Sequence, residues 1–321
     1  MAKRVFKKVF KIMFLMVIFG IFYSLGFTIY ENIHVDIKIN NFKKKAGDTP
    51  ASIINVDDDY IIKFWSVPRE TISEKNDKKN IFEDSKKTIL GKKGDIFVTR
   101  QSPFPEIPIF HQFMSYYYGG HAAIKAESSD LKESFLEATG FPNYDESLIE
   151  IMLSDGKKGH GFSPTASESY GNIWFDNSKS KAKDYYERFY RSRYLGLRVK
   201  NYFENNDAEK YEALLDEAIF LGREKIENEA LYNFLFFLNM RRKYYCTDFV
   251  SRVYEEAYER VKNNNKNYES KGYAKMLNDD GFITSVNDLI LSKDVYIAFY
   301  VEINKEDEKI VQNIYYLEDV E

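Results

Sequence analysis

Apolar and polar positions are segregated at the start of the chain and interleaved later. Residues 12–30, IMFLMVIFGIFYSLGFTIY, run for nineteen positions without a charge, long enough to cross a bilayer core as a helix. Residues 31–50 follow as a polar, lysine-bearing connector with no strong period, either a juxtamembrane stalk or the first contacts of the next domain. Short alternating stretches begin after that. A strand pair is expected within 52–67, around Tyr60-Ile61-Ile62-Lys63-Phe64-Trp65. Further strands are expected at Gly94-Asp95-Ile96-Phe97-Val98-Thr99-Arg100, from His121 to Ala126 and from Ser134 to Ala138. Two more are expected from Arg193 to Val199 and from Val295 to Val301. Residues 69–93 are so rich in Lys, Asp, Asn and Glu that they read as a solvated surface segment with room for one short helix. Two stretches carry the three-and-four spacing of amphipathic helices. One is residues 208–237, with Ala213, Leu214, Ala218, Ile219, Ile226, Ala230 and Leu231. The other starts at Thr247, with Phe249, Val250, Val253, Tyr254, Ala257 and Tyr258. The pattern predicts an α+β fold, a small mostly antiparallel sheet with helices packed on it. A single domain over 51–321 is expected, carrying inserts at about 69–93 and 144–184.

Charge narrows the function classes. With 46 basic and 50 acidic residues the net charge is -4, which gives no electrostatic footprint for nucleic acid. Aromatics make up 17% of the chain while Gly and Pro are sparse at 16 and 7, so a large core can form. Lys3, Arg4, Lys7, Lys8 and Lys11 precede the apolar run, and Glu31 and Asp36 follow it. The positive-inside rule then predicts a cytoplasmic N-terminus at 1–11, a signal anchor at 12–30 and the rest of the chain outside. Secretion after signal cleavage is the alternative, but the run is long for a signal peptide and no small-x-small site follows it. An extracytoplasmic location matters because Cys246 is the sole cysteine. It has no internal disulfide partner, which raises the prospect of a free reactive thiol.

Cys246 lies in Tyr244-Tyr245-Cys246-Thr247-Asp248-Phe249-Val250, at an expected helix start where the helix dipole favours a thiolate. Arg241, Arg242 and Lys243 add positive charge upstream, and Thr247 and Asp248 suit a first turn. The competing reading is a small buried thiol packed under a helix. A cysteine hydrolase needs an imidazole and a group to orient it. Of the four histidines, His34 lies in the connector and His111 and His160 lie in loops. His121 alone opens a strand, after Gly119 and Gly120. Glu137 stands mid-strand in an apolar segment, where a carboxylate usually has a partner. If the two strands are adjacent, Glu137 can hold the far nitrogen of His121. A structural histidine and a solvent-facing glutamate are the alternatives. The loop at 101–120 carries three of the seven prolines and many aromatics. It suits a substrate wall or lid, or packing toward the membrane. The 144–184 insert, with His160, is a candidate second loop over the same face. No spacing of the His-Glu-x-x-His kind occurs, so neither a metal nor another cofactor is implied.

Taken in order, Gly94-Asp95-Ile96, His121, Leu136-Glu137-Ala138 and Tyr245-Cys246-Thr247-Asp248-Phe249-Val250 resemble the permuted papain-like amidases of the YaeF/YiiX type, relatives of the NlpC-type cell-wall peptidases. Supporting similarities are Tyr232-Asn233-Phe234 and the segment from Gly281 to Leu289. The likeness covers about residues 91–303. Gly120 stands where the family favours Ser or Thr, and Asp248 and Phe249 replace the commoner Glu and Leu. The resemblance implies a permuted papain-like fold with Cys246 as nucleophile, His121 as general base and acid, and Glu137 as its orienter. It also implies a thioester intermediate and a peptide or peptidoglycan-type amide substrate. A lipid-directed thiol acyl hydrolase or acyltransferase, and a non-catalytic membrane-tethered binding domain, remain the alternatives.

Overall fold

The computed structural model describes residues 2–101, 120–127, 134–138, 166–170, 174, 192–228, 230–233, 236, 240–270, 273–278, 283–306 and 308–320. It is α+β: one mixed sheet, a few helices on it, and a long apolar N-terminal helix. Most of the 101–120 loop, most of the 144–184 insert, and His111, His160, Phe234, Gly281 and Phe282 lie outside the described residues.

Helix α1 (Ala2–Lys44) is 43 residues long and continues straight through the expected connector. The pattern in residues 31–44 is helical but one-sided. Val35, Ile39 and Phe42 are buried in the core while the intervening positions stay outside. This three-and-four spacing is masked in the sequence by lysines, two of which, Lys38 and Lys43, bond to the domain. The chain then turns at Gly47, whose φ of 76° suits glycine.

Strands β1 (Ser52–Asp57) and β2 (Tyr60–Val67) form the expected hairpin. Together with β3 (Ile96–Thr99), β4 (His121–Lys125), β5 (Ser134–Ala138), β6 (Ala166–Tyr170), β7 (Arg193–Val199), β10 (Val295–Glu306) and β11 (Lys309–Leu317) they make a nine-stranded sheet in the order β1-β2-β11-β10-β7-β3-β4-β5-β6. The sheet is larger than the small one expected, because β2 joins its two halves by pairing parallel to β11, with Tyr60 opposite Ile310 and Val67 opposite Leu317. The other pairs within this sheet are antiparallel.

The 69–93 segment does hold one short helix, α2 (Ile72–Asn76), closed by a capping box between Thr71 and Glu74. It is less solvated than its composition suggests. Ile81, Phe82 and Leu90 are buried, and Asp77 reaches inward to Arg198 at 2.6 Å. Arg198, 2% exposed, also clasps both oxygens of Asp95, at 2.7 and 2.8 Å. A buried guanidinium demands such bidentate partners, and this one ties β7 to the Gly-Asp turn that starts β3.

Helix α3 (Ala208–Glu227) ends at the Asn228 cap, short of the expected 237. Leu231 and Tyr232 form instead a strand, β8 (Leu231–Tyr232), paired parallel with β9 (Lys243–Tyr244). Helix α4 (Cys246–Asn263) buries Phe249, Val250, Val253, Tyr254 and Ala257 completely. It packs on α3, β4 and β5, while the short α5 (Val286–Leu291) bridges α1 and β10. The site sits where the start of α4 meets β4 and β5.

Candidate active site

Strands β4 and β5 are neighbours, with Ala123 opposite Glu137 and Ile124 opposite Leu136. His121 lies two residues from Ala123, so its side chain and that of Glu137 share one face. Their contact is direct: Nε2 of His121 is 2.7 Å from Oε2 of Glu137. Both side chains are buried, 8% and 7% exposed, so the carboxylate holds the imidazole in a dry environment where that bond is strong.

Cys246 opens α4 after Tyr245, the residue at the N-cap position, whose side chain makes no capping bond. The helix start is instead pinned from outside. Thr247 Oγ1 donates to the Thr284 carbonyl at 2.5 Å and the Thr284 amide donates to the Tyr245 hydroxyl at 2.9 Å. Asp248 lies in the first turn, as its type suggests. It turns inward to Arg252 at 3.5 Å, and burial pushes its pKa up to about 6 although Arg252 pulls the other way.

The cysteine and the histidine meet. Burial works against a charged His121, but the hydrogen bonds from Cys246 and Glu137 and the charges of both outweigh it, leaving the pKa well above 6.5. With Nε2 occupied by Glu137, Nδ1 is the ring nitrogen left for the sulfur. His121 thus has Cys246 and Glu137 as its two partners among buried residues, an arrangement that can supply a nucleophile with a base and an orienter. Comparison with models of known families, with curated proteins and with solved structures finds no match. The chemistry of the site therefore has to be read from its own residues.

Two residues complete the surroundings, and neither was singled out for chemistry from the sequence. Trp174, fully buried, stacks on His121 with ring centroids 5.9 Å apart and planes 14° from parallel. It also packs on Phe97, Phe135 and Tyr194, so an aromatic wall fixes the imidazole plane. Its only sequence signal was a lone Trp within the polar 144–184 insert. Tyr232, on β8, is brought to the thiol by the β8–β9 pair. Burial raises its pKa and the charge of Cys246 raises it further, so the phenol stays protonated.

Gly120 is required by the path of the chain. A Cβ there would lie 2.0 Å from the carbonyl oxygen of Gln101, and the Gly120 amide donates to the Thr99 carbonyl at 3.0 Å. A Ser or Thr at this position would collide with backbone. Arg241, expected to add positive charge near the thiol, is exposed and paired with Glu269.

Proposed function

We propose that the protein is a thiol hydrolase of permuted papain-like type, anchored by α1 with its N-terminus in the cytoplasm and its domain outside. The observation that carries this reading is His121 held between Cys246 and Glu137. His121 takes the proton of Cys246 as the sulfur attacks a carbonyl carbon. The oxyanion lies near the Cys246 amide, one of the first-turn N–H groups of α4 that have no partner within the helix. The C–N bond breaks as His121 returns its proton to the leaving amine, leaving a thioester on Cys246. His121 then takes a proton from water as that water attacks, and collapse of the second intermediate restores the thiol and releases the acid. Glu137 keeps the imidazole oriented and favours its charged form throughout.

An amide substrate, a peptide or a peptidoglycan stem peptide, follows from the family resemblance. An acyl ester or acyl amide of a lipid is the second reading, and the course of α1 favours it. The anchor is supported by the apolar stretch of α1, with mean hydropathy 2.3 over its best window and 6% of that window buried. The orientation rests on the lysines and arginine that precede the run.

The deciding experiment compares the wild-type protein with Cys246→Ser and Cys246→Ala, using iodoacetamide labelling at neutral pH and hydrolysis of muropeptides and phospholipid esters. Both variants should fold, resist labelling and lose at least about a thousandfold in turnover. Full activity in Cys246→Ala would end the proposal. An inert wild-type thiol would favour a tethered binding domain instead.

A further inference from the structure

Helix α1 combines an unpartnered stretch and a docked stretch in one unbroken, proline-free helix. Phe6, Phe10, Phe14, Phe19 and Phe22 are all exposed along its first half. From Thr28 onward one face is buried, through Thr28, Glu31, Asn32, Val35, Ile39 and Phe42. The burial begins inside the uncharged 12–30 run, so the domain reaches the last turn of the stretch that would cross the bilayer.

The contacts of the docked half show which edge of the sheet comes nearest. At the far end Lys45 pairs with Glu70, just beyond β2. Lys43 then pairs with Glu302 of β10 at 2.6 Å and lies over the rings of Tyr300 and Tyr315. Nearest the apolar run, Arg100, immediately after β3, bonds Asp36 and Asn32. Helix α1 therefore runs from the β2 side of the sheet over β10 toward β3 as it approaches the span. From Lys43 to Asp36 is about 10 Å of helix, matching the two strand spacings of about 4.8 Å between β10 and β3. The next strands in the sheet are β4, with His121, and β5, with Glu137. By the same spacing they fall level with about the last two turns before Asp36, where the uncharged run ends. Helix α4, carrying Cys246, packs on these two strands. On its outer side α1 also keeps Ile29, Ile33 and Ile37 exposed, an apolar stripe that continues past the first acidic residue and suits immersion among headgroups.

We infer that α1 is a rigid strut that holds the Cys246–His121–Glu137 group at the headgroup level of the bilayer, and that the carbonyl it attacks belongs to a membrane-resident acyl lipid. This rests on the thiol-hydrolase reading and names its substrate class. Acyl carbonyls of lipids lie at the boundary between hydrocarbon and headgroups, which is the depth this geometry gives the site. A polymer standing off the membrane would meet the β1–β2 side of the domain. In the lipid reaction the sulfur bonds to the acyl carbon, the glycerol oxygen or the amine that carried the acyl chain departs with the proton from His121, and water resolves the thioester to a fatty acid.

Because Cys246 is the only cysteine, the test uses the full natural chain in phosphatidylcholine and phosphatidylglycerol vesicles. Cys246 is labelled with a bimane, and its quenching is compared for nitroxides high on the lipid acyl chain and for a water-soluble nitroxide. In parallel, unlabelled protein is given a vesicle-borne long-chain acyl ester and a soluble short-chain ester of the same alcohol. The expected result is loss of half or more of the fluorescence to the lipid nitroxide, with vesicle-borne ester turned over about tenfold faster, because membrane placement raises the effective concentration. A labelled Cys246 quenched only from the aqueous phase would overturn the placement while leaving the thiol reading standing. Equal or faster turnover of the soluble ester would overturn the substrate class. A Cys246 that takes no label would remove the thiol reading itself.

Discussion

His121 is buried yet favours its charged form, and the reason lies in its two partners. Its pKa is raised above 6.5 by hydrogen bonds and charge from Cys246 and Glu137 against the opposing effect of burial. A group raised on folding contributes stability that is complete below its unfolded value, about 6.5, and is lost as pH rises through the folded value. Thermal melts of the wild-type protein should therefore show this contribution fading on the alkaline side. Glu137→Gln removes the carboxylate that helps raise the folded value, so the contribution should be smaller and its loss complete at lower pH, and the alkaline fall in turnover should move to lower pH as well. An unchanged pH profile in Glu137→Gln would mean that the 2.7 Å contact does not govern the imidazole. A second residue-scale expectation concerns Gly120, whose missing side chain admits the Gln101 carbonyl. Gly120→Ala should destabilise by about 1–3 kcal/mol through forced backbone displacement. The displacement is next to His121, so alkylation of Cys246 should slow in the same variant.

At the level of elements, the sequence was most legible where one period dominates. The apolar positions of α4 and the short strands carrying His121 and Glu137 lie where alternation and three-and-four spacing put them. Legibility failed where polar residues face inward. Arg198 and Asp95 look like surface charges in the sequence, and Asp77 sits in a segment that composition marks as solvated, yet the three form a buried ion cluster. The pairing of β8 with β9 was equally hidden, because two-residue strands have no period to detect. The parallel join of β2 to β11 depends on residues about 250 positions apart, and no local pattern encodes it. The cluster gives a sharp expectation for β7. Arg198→Met leaves Asp95 buried without its cation and Asp77 with only Arg69, at 3.3 Å, which should cost about 3–5 kcal/mol. That corresponds to a fall of roughly 10 °C in Tm, measurable by circular dichroism. A variant melting with the wild type would show that the cluster is neutral to stability and that hydrophobic packing alone fixes β7.

For the whole molecule, the decisive question is where the membrane segment stops and the domain begins. Sequence composition divides them at residue 30, since the first charge comes at Glu31. Packing divides them earlier, because Thr28 is already buried and Val35, Ile39 and Phe42 belong to the core. Two truncations separate these descriptions. A chain starting at Leu25 keeps the docked turns, the Lys43–Glu302 pair and the Arg100 contacts, and should fold with nearly the stability of the domain in the full protein. A chain starting at Lys45 loses three buried apolar side chains, each contributing about 1.5–3 kcal/mol. Their sum, on the order of 5 kcal/mol or more, is a large fraction of the 5–15 kcal/mol typical of a folded protein. The shorter chain should therefore unfold at markedly lower urea, or fail to fold, and should bind a hydrophobic dye at the uncovered seat on α5 and β10. Equal urea midpoints for the two chains would show that α1 is only a tether, free to swing, and the fixed height of Cys246 above the bilayer would go with it.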